Sequence, residues 1–380
     1  MKYRNLGSTG LQVSEIGLGG EWLERHTQEE VIEVVQYCHE VGINILDCWM
    51  AEPQVRSNIG IAIKNQRADW YVQGHIGSTW QNGQYVRTRE MSKVKEAFQD
   101  LLIRLQSEYI DLGMIHFVDK AEEFQQIMNG EFYAYVKDLK NKGVIHHIGM
   151  STHNPAVARL AAESGKIEMI LFSINPAFDM LPDNDDIDEY FKDQYEEGLG
   201  GISKERTLLY QLCEQNGVGI TVMKGYAGGR LFSAEASPFK VALTPVQCLH
   251  YALTRPAVAS IMVGYDTTKH VDDAIAYETA SEAEKDYASV LAKAPKHAYM
   301  GQCTYCGHCA PCPVGIDIAM CNKLYDLACM QDIVPSTLKA HYEALGANGK
   351  DCIGCKACES RCPFQVSIAD NMKAMSALFE

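Results

Sequence analysis

One pattern repeats along the first 290 residues: a short apolar run is followed by a longer stretch with helical periodicity. The apolar runs lie near Ile16–Leu18, Ile43–Leu46, Tyr71–Val72, Leu112–Ile115, Ile148–Met150, Ile167–Phe172, Gly219–Met223 and Ala259–Val263. Strands that alternate with helices pair in parallel, and eight such units in this length are typical of a (β/α)8 barrel. We therefore predict an α/β fold with a TIM barrel over residues 1–290. An open doubly wound sheet is the competing interpretation.

The predicted strands end in polar or small residues, which a barrel would collect at its catalytic face. Three successive strands end in ionisable residues, namely Asp47, His75 and His116. Two later strands end at Ser151 and Lys224. Because the carboxyl ends of barrel strands meet at one face, we expect these side chains to lie in one site.

The chain has 14 cysteines, and eight of them fall in two motifs near the C-terminus, CTYCGHCAPCP and CIGCKACESRCP. Such runs hold 4Fe–4S clusters, and in two-cluster ferredoxins the distant cysteine before proline ligates the other cluster. We therefore predict a ferredoxin-like domain over residues 291–380 with two 4Fe–4S clusters. The first cluster is assigned to Cys303, Cys306, Cys309 and Cys362, and the second to Cys352, Cys355, Cys358 and Cys312.

Zinc is the alternative metal, but four-cysteine zinc sites use two separated pairs rather than four cysteines in one run. The clusters could transfer electrons or be purely structural. The other cysteines are scattered, and we expect them to be packing residues: Cys38, Cys48, Cys213, Cys248, Cys321 and Cys329.

The net charge is −15, from 34 basic and 49 acidic residues. This balance argues against a nucleic-acid or anionic-membrane partner, since both bind basic surfaces. No run of 18 apolar residues and no apolar leader occurs, so we expect a cytoplasmic protein. Over half of the charge lies in Asp179–Glu197, whose net charge is −8. We expect a solvated loop there, or else a lid or a docking surface for a basic redox partner.

The barrel pattern and the cysteine motifs together resemble the aldo/keto reductase family, in the branch with a C-terminal ferredoxin-like iron–sulfur domain. The opening RNLGSTGLQVSEIGLGG resembles the family's N-terminal hairpin and first strand. The segments GINILD, DLGMIHFVD, HHIGMSTHN and ITVMKGYAGGRL resemble its second, fourth, fifth and seventh strands. The resemblance covers the whole chain and implies an oxidoreductase that acts on a small molecule.

The resemblance also implies a site related to the family's Asp, Tyr, Lys and His tetrad. Asp47 and His116 match the aspartate and the histidine. In DCWMAEPQVRSNIG, Gly60 sets the register that puts Glu52 at the tyrosine position, and WYVQGHIG puts His75 at the lysine position. We therefore expect Asp47, Glu52, His75 and His116 to form the catalytic set.

No other tyrosine near this segment is expected to replace the missing proton donor. Tyr71 and Tyr85 lie too far along the chain from that position to replace it. Trp80, Gln81 and Tyr85 follow the third strand, where we expect substrate contacts. His153 is a further candidate beside the site.

The family's contacts to NADPH are altered in this sequence. The aromatic residue that stacks on nicotinamide falls at Ile174, and the glutamine that binds the carboxamide falls at Leu171. Asp266 stands in the loop that usually binds the 2′-phosphate, where like charge would lower affinity. The remaining candidate contacts to a nicotinamide cofactor are Ser151, Lys224, Gly264 and Lys269.

These observations favour an iron–sulfur oxidoreductase in which electrons pass through two clusters to or from an activated carbonyl or C=C bond. A ferredoxin or flavodoxin-type carrier would exchange electrons with it. One alternative is an NADPH-dependent carbonyl reductase. Others are an acid–base lyase or isomerase with structural clusters, a mononuclear-metal enzyme whose histidines and carboxylates bind the ion, and an electron-transfer protein with a scaffold barrel. A flavin also remains open.

Overall fold

The computed structural model describes residues 1–180, 203–293, 301, 303, 305–329, 334 and 336–379. The strands are β1 (Tyr3–Asn5), β2 (Gln12–Ser14), β3 (Ile16–Gly19), β4 (Ile45–Cys48), β5 (Tyr71–Ile76), β6 (Ser78–Gln81), β7 (Gln84–Arg87), β8 (Ile110–Ile115), β9 (Ile145–Thr152), β10 (Met169–Ser173), β11 (Gly219–Met223) and β12 (Val258–Gly264). Most of the acidic segment Asp179–Glu197 lies outside the described residues, so its expected role stays a prediction.

The helices alternate with the longer strands. They are α1 (Gln28–Glu40), α2 (Pro53–Ile63), α3 (Met91–Arg104), α4 (Ala121–Asn129), α5 (Glu131–Asn141), α6 (Pro155–Glu163), α7 (Pro176–Met180), α8 (Lys204–Asn216), α9 (Pro245–Leu253), α10 (Thr268–Ile275), α11 (Glu282–Lys285), α12 (Tyr287–Ala292), α13 (Ile318–Cys329), α14 (Ser336–Glu343) and α15 (Ile368–Phe379).

Eight strands form a closed parallel barrel in the order β3–β4–β5–β8–β9–β10–β11–β12, and β12 pairs with β3 to close it. The eight predicted runs therefore correspond to the eight barrel strands, and the barrel prediction is confirmed. The open-sheet interpretation is wrong, because β12 and β3 are paired over Ile261–Gly264 and Ile16–Gly19 rather than being free edges.

The barrel interior is filled by apolar side chains and covered at the amino end of the strands by the β1–β2 hairpin. Leu6 and Val13 belong to the same buried cluster as Leu112 and Met169 inside the barrel. Gly149 leaves room for this filling, because a Cβ there would lie 2.4 Å from the Met169 sulfur. The interior is therefore a packed core, and the site can form only at the open end.

Local signals in the sequence begin the helices. Thr27 and Glu30 form a capping box at the start of α1, and Thr244 forms another with Gln247 at the start of α9. A buried face of each helix then packs on the strands. In the described chain, no helix is both long and apolar enough to cross a membrane.

The described residues after position 300 form α13, α14 and α15 with short turns, and no strand occurs among them. The Tyr342 and Phe379 rings stack at 4.1 Å between α14 and α15. Lys323 binds Glu214 of α8 at 2.7 Å, which joins this region to the barrel helices. The ferredoxin-like fold and the boundary at residue 290 stay predictions.

The scattered cysteines are mostly packing residues, as expected. The side chains of Cys38, Cys48, Cys213, Cys248 and Cys321 are fully buried, and burial raises their thiol pKa values. Cys329 is the exception, because its side chain is exposed at the end of α13. The expectation that it packs in a core is therefore wrong.

We expect Gly60→Ala to destabilise the barrel by about 1–3 kcal/mol, because the new methyl group would overpack a tight contact between helices. A Cβ at this position in α2 would lie 2.0 Å from the Arg104 carbonyl oxygen and 2.8 Å from the Leu105 Cα. Gly346→Ala is the matched control, since a Cβ there meets no atom within 4 Å. Thermal unfolding should show a lower Tm for the first variant alone, and equal Tm values for both would contradict the packing argument.

Candidate active site

A cavity of about 960 Å³ opens at the carboxyl ends of the barrel strands. Its wall is built from residues at the ends of β3 to β12 and from the loops that follow them. Among the residues singled out in the sequence, those on this wall are Asp47, His75, Tyr85, His116, Ser151, His153, Leu171, Lys224, Gly264 and Asp266. The strand-end side chains thus face one shared cavity.

Four polar side chains form a continuous hydrogen-bonded chain in this cavity. His75 Nε2 lies 3.0 Å from Asp47 Oδ1, and His75 Nδ1 lies 2.7 Å from His116 Nδ1. The Tyr85 hydroxyl lies 2.7 Å from His116 Nε2. Gln73 also donates to Asp47 Oδ1, at 2.8 Å. We name Asp47, His75, His116 and Tyr85 the proton relay.

The chemistry of the partners fixes the direction of these bonds when both imidazoles are neutral. An ionised carboxylate can only accept, so His75 Nε2 carries the proton that is donated to Asp47. The bare Nδ1 of His75 then accepts the Nδ1 proton of His116. His116 Nε2 is therefore bare, and it accepts the hydroxyl proton of Tyr85. The relay is thus arranged to take a proton from Tyr85.

Tyr85 reaches the relay from the β6–β7 hairpin, which is inserted after β5. Trp80 pairs with Tyr85 across the hairpin, and its turn residues Asn82 and Gly83 have φ values of 52° and 77°. The expectation that Tyr85 lies too far along the chain is therefore wrong, because the hairpin folds it back against His116. The sequence WQNGQY carried the signal, since Asn-Gly is the preferred pair in a two-residue hairpin turn.

The surroundings of His116 keep its imidazole neutral. Burial holds its pKa well below the usual value, and the positive charges of Arg89 and Arg87 act in the same direction, as would a proton added to His75 or His153. A neutral ring is the form that accepts a proton from Tyr85. If the neutral relay takes up one additional proton, its positive charge would therefore reside on His75 rather than on His116.

Burial raises the pKa of the Tyr85 hydroxyl, and the charges of Arg87 and Arg89 lower it to a smaller extent. The hydroxyl therefore carries its proton at neutral pH. The ring itself is 37% exposed and lines the cavity, so a ligand can reach it. Tyr85 thus combines a retained proton with access to a substrate.

Glu52 does not join the relay, which corrects the expected catalytic set. It is the N-cap residue of α2, and its Oε2 accepts the backbone N–H of Val55 at 2.6 Å. It is not among the described residues that line the cavity. The order Glu52–Pro53 gives the reason, because a capping acceptor followed by proline is typical of a helix start.

Aromatic side chains surround the proton relay. The Trp49 ring stacks on His116 at 5.9 Å and meets Tyr85 edge-on at 5.4 Å. Phe117 continues this wall, and His153 packs edge-on against it at 5.0 Å. The relay therefore faces a flat, largely apolar space that suits a planar organic substrate.

The structure places some, but not all, of the predicted cofactor contacts on the cavity wall. Ser151, Lys224 and Gly264 lie on the cavity wall, whereas Lys269 is exposed and is absent from the described part of that wall. The end of the cavity near Gly264 carries two carboxylates, Asp266 and Asp273. His26 Nε2 binds Asp266 Oδ1 at 3.0 Å. The expected contact of Lys269 with a cofactor therefore stays a prediction.

Two further positions bear on a nicotinamide. Ile174 is fully buried and does not occur among the described residues of the wall, so it offers no surface for stacking. Tyr226, which no sequence pattern singles out, does line the cavity, next to Lys224. Leu171 lies on the wall as well, but it provides no hydrogen bond to a carboxamide.

The residues at the barrel mouth do not fit a mononuclear metal. The two Nδ1 atoms of His75 and His116 face each other, and His75 Nε2 faces Asp47, so these nitrogens do not converge on a common point. Within the described ranges, no group of three or more His, Cys, Asp or Glu side chains is arranged to hold a metal ion. The expectation of such an ion in the barrel is therefore not supported.

The cysteine region contains a second, small cavity. The four cysteines on its wall come from both motifs: Cys303, Cys306, Cys309 and Cys362. This is the set that the spacing predicts for the first cluster, although the sulfur atoms do not converge on a metal position in this conformation. Arg361 Nη2 donates to the Cys309 carbonyl at 2.6 Å and to the Pro311 carbonyl at 2.8 Å, which ties the motifs together.

Comparison with known proteins agrees with this architecture. YqkF of Bacillus subtilis (strain 168), an uncharacterized oxidoreductase, is 27% identical over 274 residues, which cover 70% of this chain and 87% of that protein. L-galactose dehydrogenase of Arabidopsis thaliana is 22% identical over 306 residues, which cover 74% and 90%. The holo structure of the aldo-keto reductase AKR11C1 from Bacillus halodurans superimposes with a TM-score of 0.58 at 23% identity and covers 75% of this chain and 94% of that one.

The aldo/keto reductase family model matches residues 15–243, which is more than half of the chain and includes β3 to β11. The matched part contains the barrel mouth with the proton relay. The chain therefore belongs to the aldo/keto reductase family and is an oxidoreductase.

Proposed function

We propose that this enzyme interconverts a carbonyl compound and the corresponding alcohol in the barrel cavity, with Tyr85 as the proton donor and acceptor. One observation carries the proposal: a protonated tyrosine hydroxyl on the cavity wall is bonded through two histidines to a buried carboxylate. A group that gives or takes a proton at the reacting oxygen is what this reaction needs from the protein.

The relay serves the two directions in two protonation states. In alcohol oxidation, the substrate hydroxyl gives its proton to Tyr85, whose own proton passes to His116. The Nδ1 proton of His116 then passes to His75, and Asp47 stabilises the positive charge that forms on His75.

In carbonyl reduction, the relay starts with this additional proton, and the two bonds that link His75 to His116 and His116 to Tyr85 are reversed, while His75 still donates to Asp47. His75 donates to His116, and His116 donates to the Tyr85 oxygen. The Tyr85 hydroxyl proton is then free to point at the substrate carbonyl oxygen. Proton transfer to that oxygen leaves the relay in its neutral form.

The extent of the cavity supports a nicotinamide cofactor as the source of reducing equivalents. The wall continues from the relay through Leu171 and Lys224 to Gly264 and Asp266. This length is more than a small substrate requires. Ser151 and Tyr226 would contact the nicotinamide end. When bound, the cofactor supplies or accepts a hydride.

A second candidate assigns the electrons to two 4Fe–4S clusters held by the eight motif cysteines. When bound, such clusters supply one-electron transfer. The cavity lined by four of these cysteines favours this candidate. His308 lies on the wall of that cavity and binds Asp286 at 3.1 Å, and Gln247 donates to the Asp286 carbonyl at 3.1 Å. Gln247 caps α9, whose first residue Pro245 lines the barrel cavity.

This second candidate would make a ferredoxin or flavodoxin-type protein the exchange partner. The second motif is the accessible one, since Ile353 is 65% exposed and Cys355 is exposed beside it.

Anaerobic titration with a reduced nicotinamide cofactor distinguishes the two candidate electron sources. Bleaching of the cluster absorbance would show that electrons pass from the cofactor to the clusters. If an aldehyde oxidises the cofactor without bleaching, the reaction uses direct hydride transfer and not the clusters.

We expect Tyr85→Phe to lower kcat for reduction of 4-nitrobenzaldehyde by about 10²–10⁴-fold, because the variant lacks the proton donor. Glu52→Gln is the matched control and should keep kcat, since Glu52 caps α2 outside the cavity. Oxidation of the reduced cofactor, followed at 340 nm, measures both. Unchanged kcat in Tyr85→Phe, or a comparable loss in Glu52→Gln, would contradict the assignment.

We expect NADH to bind at least about tenfold more tightly than NADPH, because two carboxylates at the Gly264 end repel a 2′-phosphate. Asp266→Ser should reduce this ratio. Asp272→Ser, in the helix that follows Asp266, is the control, since its carboxylate binds Tyr37 at 2.5 Å rather than lining the cavity. Fluorescence titration of both cofactors measures the ratio, and a preference for NADPH in the wild type would overturn the prediction.

We expect the anaerobically purified protein to contain about eight irons per chain and no stoichiometric zinc. Cys362→Ala should remove about half of the iron, because this residue would complete the first cluster. Cys329→Ala should keep all of it, since its exposed thiol lies outside both motifs. Metal analysis and EPR spectra give the result. Zinc in place of iron, or no loss in Cys362→Ala, would refute the cluster assignment.

A further inference from the structure

His153 presents a polar group to the cavity that the proton relay does not use. It follows β9 directly and lies on the cavity wall beside Phe117. Its Nδ1 lies 2.9 Å from Asp119 Oδ2. Its Nδ1 is occupied by this contact, and no hydrogen-bond partner of its Nε2 is found among the described residues. Nε2 is therefore the atom that a ligand would meet.

Asp119 holds this imidazole in one orientation. Its carboxylate is buried and also accepts the Thr152 hydroxyl at 2.8 Å and the His153 backbone N–H at 2.8 Å. Burial acts to raise the pKa of Asp119, but the bonds from His153 and Thr152 outweigh it and lower the pKa. An ionised, fixed carboxylate on Nδ1 directs Nε2 toward the cavity.

Two arginines lie behind Phe117. The Arg87 guanidinium lies 4.8 Å from the Phe117 ring centroid and donates to the Phe117 carbonyl at 2.8 Å. Arg89 donates to the His116 carbonyl at 2.7 Å. Both arginines share one acid, Glu123, and Asp119, which binds His153, is a second acid in this group. This group therefore has one excess positive charge when both ring nitrogens of His153 carry a proton.

The two ends of the cavity differ in charge when His153 is in this doubly protonated form. The Gly264 end carries Asp266 and Asp273, whereas the Phe117 end carries the His153 ring. An anionic group of a ligand is repelled from the first end and attracted to the second.

We infer that His153, oriented by Asp119 and protonated on both ring nitrogens, donates through Nε2 to a carboxylate of the substrate, so that the enzyme acts on carbonyl compounds or alcohols that carry an acid group. The inference rests on the proposed carbonyl chemistry at Tyr85 for the identity of the reacting group. The ring centroids of His116 and Phe117 are 6.2 Å apart, and those of Phe117 and His153 are 5.0 Å apart. The acid group and the reacting carbonyl would thus lie on opposite sides of one aromatic ring.

The position of His153 does not suit a role in proton transfer. Tyr85 already supplies a proton within the relay, and His153 contacts the Phe117 ring, which in turn contacts His116. His153 makes no hydrogen bond to the relay among the described residues. It is therefore a specificity residue in this inference, and kinetics distinguish the two roles.

The test compares 4-formylbenzoate with its methyl ester, which has nearly the same shape and no charge. Wild-type kcat/KM should favour the acid by about tenfold or more, which is the effect of one charge-assisted hydrogen bond. His153→Gln should abolish this preference through a higher KM for the acid, with the ester unaffected. His341→Gln, an exposed histidine in α14, should behave like the wild type.

Other outcomes overturn the inference. Equal kcat/KM values for acid and ester in the wild type would remove the anion site. An equal fall in kcat for both substrates in His153→Gln would assign His153 to proton transfer instead. If that variant is misfolded by circular dichroism, Asp119→Asn serves in its place, because it removes the carboxylate that orients the ring while keeping the side-chain size.

A binding measurement separates this inference from the proposed function. Isothermal titration calorimetry should show benzoate binding at least about tenfold more tightly than benzamide, with the difference lost in His153→Gln. If this result is obtained and no aldehyde is reduced, the anion site stands and the proposed carbonyl reaction fails. If aldehydes are reduced without any preference for acids, the reaction stands and the anion site fails.

Discussion

Only one proton can lie in the hydrogen bond between the Nδ1 atoms of His75 and His116. The chemistry of the site depends on this restriction. It couples the protonation of one imidazole to the tautomer of the other. The parallel pairing of β4 with β5 and of β5 with β8 sets the two rings side by side with Asp47. The closed barrel therefore determines the order of the relay, and Tyr85 completes it from outside the barrel.

Much of the fold follows from the sequence, because strand and helix periodicities are local. The eight apolar runs correspond to the eight barrel strands, and the convergence of Asp47, His75 and His116 follows from their positions at successive strand ends. The spacing of the cysteines likewise groups Cys362 with the first motif, and those side chains do share a cavity. In each case, a short stretch of sequence contains the whole signal.

The wrong predictions for Glu52 and Tyr85 have a common cause. Each residue is matched to the family pattern by its distance along the chain, whereas its local structure decides where its side chain lies. Glu52 occupies the tyrosine position by counting, yet the following proline makes it a helix cap. Tyr85 is distant by counting, yet the Asn82–Gly83 turn brings it back to His116. Both signals were present as turn and capping chemistry. The position of Lys269 depends on where α10 begins relative to the cavity, which no local pattern specifies.

The β6–β7 hairpin makes the proton donor structurally independent of the barrel. It forms its own two-stranded sheet, and neither strand pairs with a barrel strand. Substitutions in the hairpin can therefore move or replace the acid group without disturbing the eight strands that hold the histidines and the aspartate. Such an arrangement lets the reactivity of the site diverge while the scaffold is kept, and it makes the hairpin the natural segment to exchange when a new reaction is sought on this barrel.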